Sequence, residues 1–532
     1  MFVRIKKHPG SMNSSVLICC SVRQGRRIQQ KILSRVGIAY GPEDLLRLKT
    51  QAQQQLEEMK EAKQNVQVET MHSMPSLANL REISRQNSGV SDILGNLYDT
   101  LGFSRILPGK AGKVLKSVIL SRFMEPSSKR KASSILERRF GEVLPTDAIY
   151  RMMDVLVTNL STSSKIVFQA TRQATEGKID VVLFDVTTLH FESIEEDELR
   201  AFGFSKNFRF NTTQVILALA TTNTGLPIGY RLFPGNTAEV STLIECVTLW
   251  KKDLSIGKVI MIGDRAMMSK DNLTQLESSG MQYILAYPMK KASKDLQGQI
   301  LSGIDYKADI IQNELHWQRE FETKPGQRLI VTYNQKRHAK DKKQREHLIE
   351  RIKKKIGVTK AAKRLVSNQG YLKYTKIEDK FLAELNEQKI EEDAQWDGLH
   401  GVLTNTDLAA KAVVERYKKL WVIEEAFRIN KHNMEMRPIY HYTPKRILAH
   451  IEICFLTFAL LRHAQERLKD AEYSISIDLL REELNSIEVS ILCDQSSGKL
   501  YRMPSHMTEQ GRVIYKMFGR EQDLQIQSLE ST

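Results

Sequence analysis

Cysteine is scarce: five in 532 residues, at positions 19, 20, 246, 454 and 493, with no C-x-x-C pair among them. That pattern gives no support to a zinc finger or a disulfide framework, and a reducing cytoplasm is the expected setting. The N-terminus, MFVRIKKHPG, lacks the apolar stretch of a signal peptide. Long hydrophobic runs are missing too. The most apolar, residues 453–461, is edged by Glu452 and Arg462 and is too short to span a bilayer, so it reads as a buried helix and no membrane is expected as a partner. Acids are outnumbered, 63 Asp and Glu against 79 Lys and Arg, for a net charge of +16 and a pI near 9.4. Such an excess favours polyanions, nucleic acid above all, although charge alone also suits a ribosomal, membrane-surface or merely basic protein.

What is present, 41% hydrophobic and 27% charged residues, suits a foldable chain of two to four domains. Residues 1–63 read as a strand pair (16–20 and 28–33) and a Gln- and Glu-rich helix opened by Pro42. Residues 64–92 are polar with little periodicity and read as a linker. Residues 93–178 form a helical, basic, DNA-binding candidate, with Lys110, Lys113, Lys116, Arg122, Lys129, Arg130, Lys131, Arg138 and Arg139 between 110 and 140. These side chains either face DNA or are ordinary solvated faces. Apolar runs at 179–186, 214–221, 226–233, 259–262 and 281–287 predict strands, with helices at 239–250 and 270–278; residues 179–288 thus open a mixed α/β sheet. Residues 289–400 look inserted. Within them 334–364 carry 13 Lys or Arg against three acids, either along phosphates or as an exposed helix with pairs such as Arg337/Asp341 and Glu350/Lys354. Residues 401–468 return to long helices, the first over 409–431 and the second over 447–466. Residues 469–532 read as a less compact tail with a polar helix and a strand pair.

Three carboxylates stand out. Asp185 lies within or at the end of the strand VVLFDV, Asp264 just past VIMIG, and Glu424 interrupts the apolar face of the 409–431 helix. Singly each has an ordinary reading as a turn, a cap or a solvated side chain. Together they carry more, because ligands of α/β sheets gather beyond the carboxyl ends of strands. Hard oxygen donors without a soft ligand set suit magnesium better than zinc, and a two-metal site of this kind acts on phosphodiesters.

In order along the chain, DVTTLHFES, GDRAMMSKDNL and YKKLWVIEEAFRINK resemble the DDE transposases of the insertion-sequence IS4 superfamily, most closely its IS1634-type branch. The last motif resembles a Tyr-x2-Arg-x3-Glu-x6-Lys signature, with Tyr417, Glu424 and Lys431 in place and Leu420 where the arginine stands. The usual Asp-Arg-Gly of the second motif is Asp264-Arg265-Ala266 here. GLPIGYRLFPGNTAEVSTL (225–243) and MRPIYHYTPKRILAHIEICFLTFAL (from Met436) extend the similarity, which covers roughly 110–470.

The resemblance implies a ribonuclease H-like α/β catalytic core with a largely β insertion domain and a helical N-terminal region. It implies Asp185, Asp264 and Glu424 as catalytic metal ligands for two Mg2+ ions, with Mn2+ as a substitute. DNA contacts are expected from Lys431, Tyr417, Arg428 and Arg265, although Arg428 is equally placed to pair with Glu424, Tyr417 to lie in the core and Arg265 to form a surface ion pair. Trp317 is a base-stacking candidate or a core residue, and His190 is expected to pack. The implied partners are double-stranded DNA, as terminal inverted repeats and target, and a second copy of the chain on that DNA in a bacterial cytoplasm. The implied reaction frees a 3′-OH at the element's end and joins it to target DNA. A nuclease that cuts without joining, or an inactive DNA-binding derivative, would retain much of the same sequence.

Overall fold

The computed structural model describes all residues except 8–12, 25–26, 73–76, 192–194, 204–211, 239–241, 247, 249, 251–259, 266–267, 359–372, 380–381, 438 and 530–532. The chain divides into two units: Met1–Ile83 with Leu492–Tyr501 and Gln527–Thr532, and Ser84–Ile491 with Arg502–Ile526.

The smaller unit opens with strands β1 (Phe2–Lys7), β2 (Ser14–Gln24) and β3 (Arg27–Ala39) in one antiparallel sheet. Helix α1 (Pro42–His72) covers it, burying Leu48 and Ala52 against Val16 and Ala39. The strand pair expected from sequence is therefore a three-stranded sheet; β1 alternates too weakly, with four of its six residues exposed, to announce itself. Residues 64–92 are not a featureless linker either. Helix α1 continues to His72, and Leu80–Asn87 forms strand β4.

The larger unit begins with helices α2 (Gly109–Met124), α3 (Lys129–Phe140), α4 (Thr146–Val157) and α5 (Leu160–Ala174). Several cations of this region serve the fold. Arg122 and Lys129 are buried, while Lys116, Lys131 and Arg139 pair with Asp99, Glu125 and Glu488. Lys110, Lys113, Arg130 and Arg138 are exposed.

Strands β5 (Val181–His190), β6 (Gln214–Thr222), β7 (Pro227–Pro234), β8 (Ile260–Gly263) and β9 (Gln282–Tyr287) build one side of a nine-stranded sheet, out to its β7 edge, with helix α6 (Lys270–Ser278) between β8 and β9. The order there is β7-β6-β5-β8-β9. Strands β5, β8 and β9 are parallel, and β6 is antiparallel to both of its neighbours. The helix expected over 239–250 lies partly outside the described residues. Odd-numbered residues of β5 and β6 (Val181, Leu183, Leu189, Val215, Leu217, Leu219) enter one core, and even-numbered ones (Val182, Phe184, Val186, Ile216, Ala218, Ala220) enter the other. A sheet covered on both faces has no polar side, which is why these strands read as continuous apolar runs.

The segment after β9 corrects the expected insertion domain. It contains helix α7 (Lys294–Leu301), strands β10 (Lys307–Ile311), β11 (Glu314–Lys324) and β12 (Gln327–Tyr333), helix α8 (Gln335–Val358), strands β13 (Thr375–Asp379) and β14 (Leu382–Leu385), and helix α9 (Glu387–Ala394). It is mixed rather than largely β, since α8 alone has 24 residues and no strand there exceeds 11. Strands β10–β12 join the central sheet through β15 (Leu399–Thr404), in the order β10-β11-β12-β15-β9.

The long helix expected over 409–431 is broken. Helix α10 (Ala410–Lys418) and helix α11 (Trp421–Arg428) are joined by i→i−3 bonds from Lys419, Leu420, Val422 and Ile423, and a π-turn (Ile429–Asn433) follows. Tightening to 3₁₀ and widening to π both rotate the helix face relative to a regular α-helix, and such departures concentrate at functional sites.

Helix α12 (Pro444–Asp470) is long and apolar enough to cross a membrane by composition, but it is buried against α2, α4 and α5. Its Glu452 accepts hydrogen bonds from Ser163 and from Tyr230 Oη at 2.7 Å, and burial pushes its carboxyl pKa up. The C-terminal region is not a loose tail. Helix α13 (Ile477–Ser486) and helix α14 (Glu509–Met517) bury Leu480, Leu484, Ile514 and Tyr515 in the main core.

Gly235 shows how tightly this sheet end is built. A Cβ there would sit 2.1 Å from the Gln214 carbonyl oxygen and 2.4 Å from that of Ala201, both main chain and unable to turn aside. Gly235→Ala is expected to lower unfolding free energy by about 1–3 kcal/mol, read as a lower denaturant midpoint at constant m. An unchanged midpoint would contradict this packing.

Candidate active site

The register of the parallel strands sets the first two carboxylates. Val181, Val182 and Leu183 of β5 pair with Ile260, Met261 and Ile262 of β8. Asp185 follows two residues later inside β5, which runs on to His190, so it is not at a strand end as expected, whereas Asp264 stands one residue past the end of β8, the strands being roughly 4.8 Å apart. The period-2 alternation puts Asp185 on the face of Leu183, toward the core layer that contains α11. Asp185 is half-buried and Asp264 exposed. Asp185 Oδ1 accepts from the Val186 amide at 2.7 Å within β5, and Asp264 Oδ1 from the Arg265 amide at 2.6 Å just past β8.

Helix α11 packs on β5, burying Val422, Ile423, Ala426 and Phe427 and leaving Glu424 exposed in its first turn. Two links tie it to the aspartates. The Lys431 ammonium, in the π-turn, donates to Thr187 Oγ1, two residues beyond Asp185 on the same strand face, while lying 5.9 Å from the Phe427 ring centroid. The Tyr417 hydroxyl is pushed well above its usual pKa by burial first, then by the charge of Asp264 and, more weakly, of Glu424. Tyr417 therefore sits within electrostatic reach of both carboxylates. Its ring packs on His400, with centroids 4.9 Å apart.

The remaining candidates separate. Arg265 is exposed, next to Asp264 in sequence, and its charge reaches both Tyr417 and His400. Arg428 pairs with Glu425 at 3.4 Å, not with Glu424: the pairing runs i,i+3 along the exposed edge. Leu420, at the position where the resembled signature has arginine, is buried. His190 is buried, as expected. Trp317 is half-buried, 5.8 Å from the Tyr333 ring, and lines a cavity of about 430 Å³ with Tyr306, Tyr333 and His338.

Sequence reasoning missed Arg337, His400 and Thr187. Burial pushes the His400 imidazole down to about 3, helped by the charges of Arg337, Arg265 and Lys418, so it is neutral at any physiological pH. Arg337 was counted only within a basic block; what singles it out is its approach to Tyr417 and His400 from the start of α8, which no local pattern signals. Along α8, Arg337 pairs with Asp341 at 3.7 Å and Arg345 with Asp397, whereas no Glu350/Lys354 ion pair forms among the described residues. Residues 359–364 of the basic block lie outside them.

Among the described residues no three His, Cys, Asp or Glu side chains stand close enough together to hold a metal ion. The structure sets Asp185 in β5, Asp264 just past the neighbouring parallel strand β8, and the helix carrying Glu424 against β5, without closing the three into one cluster among the described residues. The donor set, carboxylate oxygens flanked by exposed cations, fits a hard divalent cation.

A transposase DDE domain model matches residues 176–460, more than half of the chain and all three carboxylates. The chain belongs to the DDE transposase family. Among solved structures it is similar to the piggyBac transposase synaptic complex with hairpin DNA, at 10% identity over 74% of this chain and 76% of that one, with a TM-score of 0.36. It is also similar to the Mos1 transposase paired-end complex with left transposon end, at 12% identity over 33% of this chain and 78% of that one, with a TM-score of 0.15. No curated protein matches.

Proposed function

We propose that this DDE-family chain is a metal-dependent DNA transposase of the IS4 superfamily, IS1634-type branch, that frees and joins the ends of an insertion sequence. One observation carries the reading: β5, which contains Asp185, and β8, which ends just before Asp264, are adjacent parallel strands, and the helix bearing Glu424 packs on the first of them. The order β7-β6-β5-β8-β9, with only β6 reversed, supports a ribonuclease H-like core.

In this reading Asp185, Asp264 and Glu424 would hold two Mg2+ ions, replaceable by Mn2+. Bound there, they would supply Lewis-acid stabilisation of charge developing on a phosphodiester. The chain's own residues bind and orient the DNA. Lys431, fixed on Thr187 beside Asp185, holds a phosphate at the site. Arg265 and Arg337 give the mouth a positive field, and Tyr417, kept protonated by burial and then by its acidic neighbours, donates a hydrogen bond to the DNA backbone. Exposed lysines of α8 (Lys340, Lys342, Lys343, Lys353) extend the DNA track in a salt-sensitive way. Arg428 reaches the backbone from the exposed end of α11.

In the first step water bonds to phosphorus and the bridging oxygen leaves as the 3′-OH. In the second, that hydroxyl bonds to a target phosphorus and displaces the target's own 3′-oxygen, so one phosphodiester replaces another. Two copies on paired ends would make the joining concerted. The test incubates the full chain with labelled DNA carrying the repeats that flank its gene, target plasmid and Mg2+ or EDTA. Metal-dependent nicks followed by joined products support the proposal. Nicks without joining would indicate a nuclease, and binding without chemistry an inactive derivative.

A further inference from the structure

The π-turn that carries Lys431 ends in an unusual way. Four successive carbonyls, from its last residue Asn433 to Met436, accept hydrogen bonds from long basic side chains or histidine in the core. Arg481 Nη2 donates to Asn433 O at 2.8 Å, Arg122 Nη2 donates to Met434 O at 2.7 Å and Glu435 O at 2.9 Å, and His450 Nε2 lies 3.1 Å from Met436 O. Since a carbonyl only accepts, His450 donates from Nε2, and its Nδ1 accepts from Lys129 Nζ at 3.2 Å. The two arginines are themselves tied to one place: Arg481 Nε donates to Phe123 O at 2.7 Å, the residue next to Arg122, and Arg122 Nη1 to Ser127 O at 3.1 Å.

The arrangement costs stability that a simple helix end would not require. Arg122 is buried, its hydrogen bonds go to main-chain carbonyls, and its Nε has no partner among the described residues. Glu435 is held at φ +44°, a left-handed conformation uncommon for a residue with a side chain, between the buried Met434 and Met436. A buried guanidinium could be exchanged for apolar packing at little loss if stability alone were at stake. What the cradle does secure is the rotation of the preceding turn, and that rotation decides where Lys431 points.

We infer that Arg122 and Arg481 are positioning residues, fixing the π-turn so that Lys431 meets Thr187 beside Asp185. The inference rests on the reading of Lys431 as a phosphate-holding group, and its test is built so that the two can fail separately. Hydrogen exchange of the full-length protein is followed by mass spectrometry for wild type, Arg122→Gln, Arg122→Lys and Arg481→Gln. Peptides covering 425–437 are expected to exchange about tenfold faster in Arg122→Gln and Arg481→Gln, with β5 and β6 unchanged and Arg122→Lys partly restored. Where a variant loses protection throughout β5–β9 it has unfolded, and Arg122→Lys with the other glutamine variant decides.

Single-turnover cleavage of end DNA is then measured in a double-mutant cycle with Lys431→Met. Arg122→Gln is expected to slow cleavage about tenfold with DNA affinity within about twofold, and to add less than about twofold once Lys431 is gone. Unchanged exchange at 425–437 in both glutamine variants would overturn the inference, and so would a full multiplicative effect in the Lys431→Met background. If wild type leaves DNA intact, the transposase reading fails while the exchange result still decides whether the cradle sets the turn.

Discussion

Asp264→Asn is expected to lower the rate of end-DNA cleavage by about three orders of magnitude, equivalent to about 4 kcal/mol of barrier. Asparagine keeps the shape of the side chain and one acceptor oxygen, so the 2.6 Å bond from the Arg265 amide survives. Only the negative charge is lost, and that charge is what a hard cation needs. Asp185→Asn should behave alike, because its bond from the Val186 amide also survives. Melting temperature should move by no more than about 2 °C in either variant, and DNA affinity should hold or rise as a repulsive charge disappears. Cleavage by either variant at the wild-type rate would remove that aspartate from the site.

The second large effect concerns stability. Lys129 is fully buried against Arg122 and His450, and burial, with the neighbouring Arg122 charge, pushes its ammonium pKa down to about 7. The unfolded chain keeps that proton up to its ordinary value of 10.5, so between pH 7 and 10 the unfolded state binds one proton more than the folded state. Stability contributed by this group therefore rises with pH across that window, by up to about 1.4 kcal/mol per unit, and is flat below it, where both states are protonated. In Lys129→Met the rise should vanish, leaving the variant relatively more stable at pH 7 than at pH 9.5. Urea titrations at pH 7, 8.5 and 9.5 measure it. Parallel pH profiles for the two proteins would show that Lys129 is not buried as a cation.

These residues also show why only part of the molecule was legible in the sequence. Central strands announce themselves because both faces of the sheet are covered, and α6 follows its periodic pattern from Lys270 to Ser278. Asp264 is legible because it stands where an apolar run stops at the end of β8, whereas Asp185 lies inside β5, which runs on to His190, and only the motif around it marks it. The break between α10 and α11 was not legible, since Val413, Val414, Tyr417 and Leu420 keep a helical rhythm through it and only tertiary packing turns the chain there. Basic residues misled most. Arg122 and Lys129 look in sequence like Lys110 and Lys113, but partners more than 300 residues away draw them inward. Strands β10–β12 join the main sheet through β15, about 70 residues further along, and pairing at that separation leaves no local trace.

The family match covers the carboxylates but does not say that they share a metal. Iron-mediated backbone cleavage asks that question without any knowledge of the DNA ends. Fe2+ replaces Mg2+, ascorbate and peroxide are added, and the cut positions are mapped by mass spectrometry. The account predicts cuts confined to three stretches, around Asp185, Asp264 and Glu424, all suppressed by excess Mg2+ and by Asp264→Asn. Cuts confined to other regions, or a pattern indifferent to Asp264→Asn, would contradict it.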